Sequence, residues 1–470
     1  MELTSHPNPL RTHFVGIGGA GMSGIARVMH ERGDVVTGSD LKESRYTKAL
    51  TGIGVVVNIG HDAAALGDPS VVVISSAIRD DNPELIAARQ RGIDVWPRAR
   101  MLASLAGAGA TIAVAGTHGK TSTSAMLATM LSGMGQDPTF VIGGEVTDVQ
   151  VNARAGAGRH YVVEADESDG SLLYLEPTIA VVTNIEAEHL DHYGSLEAVE
   201  QTFVEFMMRV PAAGRLVVCA DDARLVELAE GTGAPTLTYG FAEEAQVRCD
   251  ALEGTGSGHG FRVTFPGGET VQASIPVPGT HMVQNATAVL AVAYAEGLDV
   301  GDAADALAAY GGVKRRFDHI GVAAQVTVVD DYAHHPTEIR ATLRAARETG
   351  HNRVWAIFQP HRYSRTESLA VEFGAAFEDA DRLVLMDVYS AGEPPIPGIS
   401  GKTVVDAVLD ARARARIAYL PHRADVPAYV AHHARPGDLI LTMGAGDVTT
   451  VGPDLLKAIA SNKGEDVGWR

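Results

Sequence analysis

The sequence predicts an α/β protein of three domains, and three observations support this prediction. An apolar strand, a glycine loop and a helix follow one another at residues 13–31, and the same succession returns at residues 112–131. A third series of apolar strands begins at Val326 and alternates with helical patterns. Strands that alternate with helices are typical of parallel sheets covered by helices, so each region is expected to form one such layer. A length of 470 residues is sufficient for three hydrophobic cores.

The first domain opens with a glycine-rich turn directly after an apolar strand. Gly16, Gly18 and Gly21 fit the pattern G-x-G-x-x-G, which lets the backbone approach a diphosphate closely. Asp40 ends the next strand, where an acidic residue can meet a ribose hydroxyl. A dinucleotide site is the default interpretation of this pattern, and a tight turn without a ligand is the alternative.

A further loop and a linker complete the first domain. The apolar strand at residues 71–74 leads into Ser75 at the carboxyl edge of the predicted sheet, where ligands of such sheets collect. Residues 103–110 are small and rich in glycine, which predicts a linker. We therefore place the first domain at residues 1–108.

The second domain opens with a strand, a glycine turn and the sequence Gly-Lys-Thr at residues 119–121. Such a loop aims backbone N–H groups and one ammonium at a polyphosphate, and a hydroxyl at its magnesium ion. Val114 occupies the position where the general phosphate loop has its first glycine. Lys120 is the only lysine from Ala49 through Val313. Because a compact ammonium reaches a β/γ-phosphate bridge better than a guanidinium does, nucleotide binding is predicted.

Two later strands of the second domain end in acidic residues. Residues 164–169 follow one apolar strand, and residues 184–191 follow the next. Magnesium takes oxygen ligands, so one or two carboxylates and phosphate oxygens suffice for a site there. A solvated loop is the alternative for the acidic run, and a structural histidine is the alternative for His189. Antiparallel hairpins are predicted at residues 246–274 and a helix at residues 285–296.

The character of the sequence changes again around residues 311–317, where we place the boundary between a second domain at 109–317 and a third at 318–470. In the third domain, a strand ending at Asp330 leads into a cluster that contains Tyr332 and His334. A second strand leads into Arg362 and Arg365, which are three residues apart near a helix start and can face one anion together. Two solvated arginines are the alternative.

The composition excludes several classes of partner. The balance of 38 basic and 58 acidic residues gives a net charge of −20, which argues against nucleic acid and anionic membrane surfaces as partners. Two cysteines provide no disulfide framework, which suits a reducing compartment. No apolar run approaches the roughly 20 residues of a membrane-spanning helix. We expect a cytoplasmic protein that acts on small molecules as a monomer or homodimer.

Five segments together resemble the Mur ligases of peptidoglycan synthesis, and the likeness extends in order over nearly the whole chain. Val114 is normal in that family. The segments are Gly116-Thr117-His118-Gly119-Lys120-Thr121, Glu164-Ala165-Asp166-Glu167-Ser168-Asp169, residues 184–191 (Asn-Ile-Glu-Ala-Glu-His-Leu-Asp), residues 330–338 (Asp-Asp-Tyr-Ala-His-His-Pro-Thr-Glu) and residues 359–366 (Gln-Pro-His-Arg-Tyr-Ser-Arg-Thr).

The resemblance implies a fold and a reaction. It implies an N-terminal Rossmann-like domain for UDP, a central P-loop ATPase with a mixed sheet, and a C-terminal Rossmann-like domain for ATP and the amino acid. The implied substrates are UDP-N-acetylmuramate and L-alanine, joined with ATP and Mg²⁺ through an acyl phosphate. The glycine turn of the first domain would then hold a UDP-sugar rather than NAD.

The resemblance also implies roles for individual residues. Lys120, Glu164 and His189 are the expected catalytic residues, and Thr121, Glu164 and His189 are the expected magnesium ligands. The expected ATP contacts are Gly116, Thr117, His118, Gly119, Lys120, Thr121, Ser122, Asn285, Arg316 and Asp330. The expected substrate contacts are Gly18, Gly19, Gly21, Asp40 and Ser75 for the UDP-sugar, and Tyr332, His334, Arg362 and Arg365 for the amino acid. Several relatives use a carbamylated lysine for a second magnesium, but this chain has no lysine between Lys120 and Lys314.

Three alternatives remain open at the level of sequence. A ligase that attaches a preformed tripeptide to the same sugar nucleotide would share most of these motifs. An NAD-dependent oxidoreductase would use the glycine turn of the first domain but would leave Lys120 and the arginine pair without a role. A nucleotide-gated binding protein would use the phosphate loop without chemistry.

Overall fold

The computed structural model describes residues 9–462, except for the side chains of Asp191 and Asn462. Its contacts divide the described chain into two compact units. The first contains residues up to 251 together with 261–274 and 284–310, and the second contains residues 252–260, 275–283 and those from 311 onwards. Among residues 9–462, no helix has the length and apolar character that a bilayer crossing requires.

The first sheet has five parallel strands in the order β3-β2-β1-β4-β5. The strand order reverses at β1, so the loop that follows β1 lies at the switch point where such sheets bind ligands. The strands are β1 (Arg11–Val15), β2 (Val35–Asp40), β3 (Val56–Ile59), β4 (Val71–Ile74) and β5 (Asp94–Pro97). The helices are α1 (Ala20–Glu31), α2 (Arg45–Gly52), α3 (Pro83–Gln90) and α4 (Arg98–Ala106).

The linker predicted at residues 103–110 is wrong in its first half. Helix α4 continues through Ala106, and the next strand begins at Ala110, so only three residues join them. Alanine and leucine are strong helix formers, and the side chains of Leu102 and Leu105 are buried, so the segment of small residues stays helical until Gly107.

The second sheet has ten strands in the order β15-β14-β13-β12-β11-β10-β6-β9-β7-β8. Its pairings from β6 to β13 are parallel except for the antiparallel pair β7–β8, which confirms the predicted mixed sheet. The strands are β6 (Ala110–Ala115), β7 (Thr139–Val146), β8 (Val151–Arg154), β9 (His160–Glu164), β10 (Ile179–Val182), β11 (Arg215–Cys219), β12 (Thr236–Gly240), β13 (Val247–Gly254), β14 (His259–Thr264) and β15 (Thr270–Ile275). The helices are α5 (Lys120–Gly133), α6 (Leu190–Tyr193), α7 (Leu196–Met207), α8 (Ala223–Gly231), α9 (Thr280–Ala295) and α10 (Val300–Leu307).

The third sheet has six strands in the order β16-β17-β21-β18-β19-β20, all parallel except for the pair β16–β17. Both of its faces are buried: Val354, Ala356 and Phe358 pack on one side, and Trp355 and Ile357 pack on the other. The strands are β16 (Asp318–Ala323), β17 (Val326–Asp331), β18 (Arg353–Phe358), β19 (Arg382–Leu385), β20 (Ile417–Tyr419) and β21 (Asp438–Met443). The helices are α11 (Pro336–Glu348), α12 (Tyr363–Ser368), α13 (Ala370–Ala376), α14 (Gly401–Ala411), α15 (Val426–His433) and α16 (Val451–Asn462).

Candidate active site

The phosphate loop joins β6 to α5 in the centre of the second sheet. Its two glycines have backbone angles that favour glycine, with φ of +133° at Gly116 and +84° at Gly119. A Cβ on Gly116 would lie 2.0 Å from Oγ1 of Thr183, so no larger residue fits there. Helix α5 begins at Lys120 and therefore opens directly on the loop. The hydroxyl-bearing Ser122 is buried in its first turn.

Lys120 lies inside this loop rather than in solvent. Its Nζ donates to the carbonyl oxygens of Gly116 and Thr117, at 2.6 and 3.1 Å, and to Oε1 of Glu167 at 2.7 Å. Burial lowers the pKa of Lys120, but the charge and hydrogen bond of Glu167, with smaller contributions from Glu164 and Asp166, raise it above the ordinary value. The ammonium therefore stays charged at neutral pH.

The predicted magnesium ligands lie beside this lysine. The hydroxyl of Thr121 donates to Oε1 of Glu164 over 3.0 Å, and the other oxygen of Glu164 accepts from the backbone N–H of Gly143 at 2.7 Å. His189 Nε2 lies 4.0 Å from Oε1 of Glu167. A hydroxyl and carboxylates at the start of α5 are the oxygen ligands that magnesium takes, so the donor set fits this ion. The second oxygen of Glu167 is buried and has no hydrogen-bond partner among the described residues, which leaves it available to a cation.

The neighbouring strand β10 fixes the rest of the loop. The backbone N–H of His118 donates to Oδ1 of Asn184 over 2.9 Å, and the backbone N–H of Thr117 donates to the carbonyl of Asn184 over 3.0 Å. The hydroxyl of Thr117 accepts from the backbone N–H of Glu186 at 2.8 Å. Asn285 on α9 is buried against the loop, because a Cβ on Gly119 would lie 2.8 Å from its Oδ1. The residues after β10 and Asn285 on α9, which are distant in sequence from the loop, thus fix its conformation.

The predicted UDP-sugar residues come together at the switch point of the first sheet. The backbone N–H of Gly18 donates to Oδ2 of Asp40 at 2.8 Å. Gly19 precedes α1 as its N-cap, and Ser75 lies next to Gly16, since a Cβ on Gly16 would be 3.4 Å from Oγ of Ser75.

Arg98 connects this glycine turn to the acidic run of the second sheet. A Cβ on Gly21 would lie 2.4 Å from Nη1 of Arg98, so the guanidinium rests on the turn. Its Nη2 donates to Oδ2 of Asp166 over 3.3 Å. Burial raises the pKa of Asp166, but Lys120, Ser168 and Arg98 together lower it below its ordinary range.

In the third sheet, the residues after β17 and β18 meet at one edge because both strands flank β21 and run parallel to it. The ring of Tyr332 lies 5.3 Å from that of His334, and His334 lies 6.1 Å from His361. Arg362 is the residue before α12, and Arg365 is buried within that helix with Nη1 3.2 Å from Nδ1 of His361. Burial, followed by the charge of Arg365, lowers the pKa of His361 to about 3, so its ring is neutral.

Arg316 and Asp330, which are both predicted to contact ATP, have partners within the second compact unit. Arg316 lies 5.2 Å from the ring of Tyr332 and places Nη1 3.5 Å from Oε1 of Glu338. Asp330 is only 1% exposed, and its carboxylate accepts from the hydroxyls of Thr442 and Thr449. A direct contact between Asp330 and ATP stays a prediction.

Family models match the chain along almost all of its described length. They are the Mur ligase family catalytic domain at residues 11–109, the Mur ligase middle domain at residues 114–293, and the Mur ligase glutamate ligase domain at residues 315–446. The chain belongs to the Mur ligase family.

Individual Mur ligases resemble the chain over nearly all of its length. Three of the curated relatives that carry the name UDP-N-acetylmuramate–L-alanine ligase serve as examples. The one from Rubrobacter xylanophilus is 48% identical over 95% of this chain and 99% of its own, and the one from Anaeromyxobacter sp. is 47% identical over 95% and 97%. The third, from Mycobacterium marinum, is 46% identical over 96% and 95%.

Two solved Mur ligase structures share the fold. The UDP-N-acetylmuramate-alanine ligase of Thermotoga maritima superposes with a TM-score of 0.81 at 29% identity, covering 96% of this chain and all of that one. A murein peptide ligase of Psychrobacter arcticus superposes with a TM-score of 0.71 at 26% identity, covering 96% and 99%.

Three contacts of this Mur ligase site have no counterpart among the residues predicted from sequence. They are the ion pair of Glu167 with Lys120, the support of the phosphate loop by Asn184, and the position of Arg98 on the glycine turn. Glu167 and Asn184 follow β9 and β10, the two strands that flank β6, and a polar residue after an apolar strand is a signal that sequence patterns contain. Arg98 is merely the first residue of a helix, so no pattern distinguishes it from other arginines.

Proposed function

We propose that this chain is an ATP-dependent ligase that joins L-alanine to the carboxylate of UDP-N-acetylmuramate and releases ADP and phosphate. The observation that supports it most strongly is the buried, charged Lys120 inside a glycine loop at the start of α5. The names of the relatives that match over nearly the full chain support the same choice of substrates.

The proposed reaction has two steps because a carboxylate is a poor electrophile. A carboxylate oxygen of the sugar first attacks the γ-phosphorus of ATP, so ADP leaves and an acyl phosphate forms. The neutral amine of alanine then attacks the acyl carbon, and phosphate leaves as the amide bond forms. Phosphoryl transfer depends chiefly on positioning and charge neutralisation, which are the tasks of the loop and its lysine.

Lys120 would exchange its loop carbonyls for phosphate oxygens when ATP binds. Charged acceptors form shorter and stronger hydrogen bonds than neutral carbonyls do, so this exchange is favourable. Glu167 would retain the other side of the ammonium and hold it in place. The backbone N–H groups at the start of α5 add the positive end of a helix dipole at the same point.

Thr121, Glu164 and His189 are the residues that would hold magnesium. A bound magnesium ion would neutralise the phosphate oxygens. Histidine is an unusual ligand for this ion, so the oxygen ligands of Thr121 and Glu164 would contribute most of the site. Oε1 of Glu167 lies 4.0 Å from Nε2 of His189, and this carboxylate would take part in a second site in place of a carbamylated lysine.

The glycine turn of the first sheet would hold the diphosphate of the sugar nucleotide. Gly18, Gly19 and Gly21 provide the close backbone approach, and Asp40 and Ser75 flank the turn. Arg98 would neutralise the diphosphate, since its guanidinium already rests on Gly21.

The cluster of rings and arginines at the edge of the third sheet would bind the amino acid. Arg362 and Arg365 would bind its carboxylate, while Tyr332 and His334 would lie against the rest of the molecule. The neutral ring of His361 beside Arg365 adds no third positive charge to this clamp.

A panel of amino acids tests the proposal. Phosphate release is measured with ATP, Mg²⁺ and UDP-N-acetylmuramate, and with alanine, glycine, serine or a murein tripeptide as acceptor. We expect release with alanine and none with the tripeptide. The reverse pattern would favour the tripeptide-adding ligase, and release without any acceptor would contradict ligation.

A further inference from the structure

The segment of residues 389–393 follows β19 and lies against the chain that carries the two arginines. The backbone N–H of Tyr389 donates to the carbonyl of Pro360, and the backbone N–H of Arg362 donates to the carbonyl of Tyr389, both at 2.8 Å. The ring of Tyr389 stacks on that of His361 with 5.7 Å between centroids and 11° between planes. The 389–393 segment therefore fixes the backbone on both sides of His361.

Glu393 ends this segment and reaches the first turn of α12. Its Oε1 accepts from the hydroxyl of Ser364 at 2.7 Å, and its Oε2 accepts from the backbone N–H of Ser364 at 3.1 Å. The same Oε1 lies 3.9 Å from Nε of Arg362. Both charged side chains are partly buried, with 24% of Glu393 and 35% of Arg362 exposed, so their attraction is screened less than at an open surface.

The backbone of Arg362 has an unusual conformation, with φ +70° and ψ 140°. A residue other than glycine in such a region costs about 1–3 kcal/mol and persists only where its surroundings determine it. The hydrogen bonds from the 389–393 segment hold the backbone of Arg362 in this conformation. They set the direction in which the side chain of Arg362 leaves the backbone.

We propose that Glu393 is a positioning residue for the amino-acid substrate, whose carboxylate holds Arg362 and the first turn of α12 so that Arg362 and Arg365 face one carboxylate group. The inference rests on the proposed function, in which these arginines bind the carboxylate of the amino acid. A guanidinium has five N–H donors in a planar fork and can therefore bind two carboxylates at once. Fixing a flexible side chain before the ligand arrives lowers the entropic cost of binding.

The variant Glu393→Gln tests the role of the charge, because glutamine keeps the shape and can still accept from Ser364. We expect the KM for L-alanine to rise roughly 10-fold, which corresponds to about 1.4 kcal/mol. The kcat and the KM values for ATP and UDP-N-acetylmuramate should change less than about two-fold, which is within the error of such comparisons. Asp379→Asn is the matched control, since it removes a carboxylate that lies 3.8 Å from Arg344 in the same domain.

A substrate without a carboxylate separates positioning from general damage. With L-alaninamide in place of L-alanine, Glu393→Gln should have no effect, because there is no carboxylate for the arginines to bind. In the Arg362→Ala background, Glu393→Gln should likewise add nothing to the KM for alanine. Equal losses with both acceptors, together with a lower melting temperature, would show a purely structural role and overturn the inference.

The two levels of the proposal fail in different ways. An unchanged KM for alanine in Glu393→Gln, with a raised KM in Arg362→Ala, would overturn the role of Glu393 and leave the proposed function standing. If the wild-type protein released no phosphate with alanine, the proposed function would be wrong, and the role of Glu393 with it.

Discussion

At the scale of single residues, Lys120 has three acceptors, and two of them are carbonyl oxygens of its own loop. Its third partner, Glu167, is 3% exposed and stays charged only beside a cation. The lysine therefore stabilises the loop and an acidic residue even before a nucleotide binds. Burial raises the pKa of Glu167, and the ammonium offsets only part of this effect.

Replacing Lys120 by alanine should remove ligation without affecting the first sheet. We expect the rate of ligation to fall at least about 100-fold, as for the loss of other donors to a developing negative charge. The affinity for UDP-N-acetylmuramate, measured by calorimetry, should stay unchanged because the glycine turn of the first sheet is intact. Lys457→Ala is the control, since that lysine is exposed and pairs only with Asp454 among the described residues. Equal loss of ligation and sugar-nucleotide binding would contradict this division of tasks.

The neutral state of His361 predicts a pH dependence of stability. Its pKa is about 3 in the folded protein and near 6.5 when unfolded, so the unfolded chain binds one more proton between these values. The contribution of His361 to the free energy of unfolding is complete above pH 6.5 and is lost as the pH falls towards 3. In His361→Gln, the fall in melting temperature from pH 7 to pH 4.5 should be smaller than in the wild type. In a domain of this size, each kcal/mol of unfolding free energy shifts the melting temperature by about 2–4 °C. If the melting temperatures of both proteins fell equally, the result would argue against the burial of a neutral ring.

At the scale of elements, the connection between β6 and α5 depends on glycine geometry as much as on the lysine. Gly116 combines a φ of +133° with close approach to Thr183, the residue directly after the neighbouring strand β10. The loop therefore cannot adopt its shape unless β10 lies beside β6, as the parallel pairing of these strands requires. Elements that lie far apart in sequence thus cooperate in one loop.

Gly116→Ala should damage ATP binding selectively. The added Cβ would meet Oγ1 of Thr183, so the loop would shift, and we expect the affinity for ATP to fall about 10-fold or more, or about 1.4 kcal/mol. Gly233→Ala is the control, because that glycine also has a positive φ, of +70°, but an added Cβ meets no atom of residues 9–462 within 4 Å. A similar loss of ATP affinity in both variants, measured by calorimetry, would show that backbone strain rather than the clash matters.

At the scale of the whole molecule, the first and second sheets share one compact unit. Helix α1 contacts the second sheet directly: the amide of Asn152 donates to the carbonyl of Ala20 at 2.9 Å, and Arg32 hydrogen-bonds Tyr161. Gly24 lies at the centre of this contact, where a Cβ would be 3.1 Å from Cβ of Ala153. The glycine turn of the first sheet and the acidic run of the second are therefore fixed relative to each other, and Arg98 forms an ion pair with Asp166 between them.

Gly24→Val should weaken this contact and lower the stability of the unit. Overpacking costs about 1–3 kcal/mol, so we expect a lower melting temperature in calorimetry and a broader or divided transition. Gly52→Val is the control, because Gly52 also lies in a helix of the first domain but an added Cβ there meets no atom within 4 Å. If both variants melted like the wild type, the packing of α1 on the second sheet would not contribute to stability.

Sequence patterns predicted the α/β class and the phosphate loop, because these features depend on local chemistry. The mixed second sheet was implied by the family resemblance. Apolar strands that run into glycine turns and helices set their own hydrogen bonding and backbone angles within about 20 residues. Local propensity also explains the one wrong linker, since alanine and leucine kept residues 103–106 helical where small residues had suggested a loop. The family resemblance added the substrates and the residues expected to contact them.

Only the tertiary structure decided which side chains meet across long sequence distances. Lys120 pairs with Glu167, Arg98 rests on Gly21 and pairs with Asp166, and the 389–393 segment holds Arg362. These contacts depend on strand order, which follows from burying both faces of each sheet and not from any local pattern. A sequence can therefore specify which functional side chains follow each strand. Which other side chains they contact is fixed only when the strands assemble into the sheet.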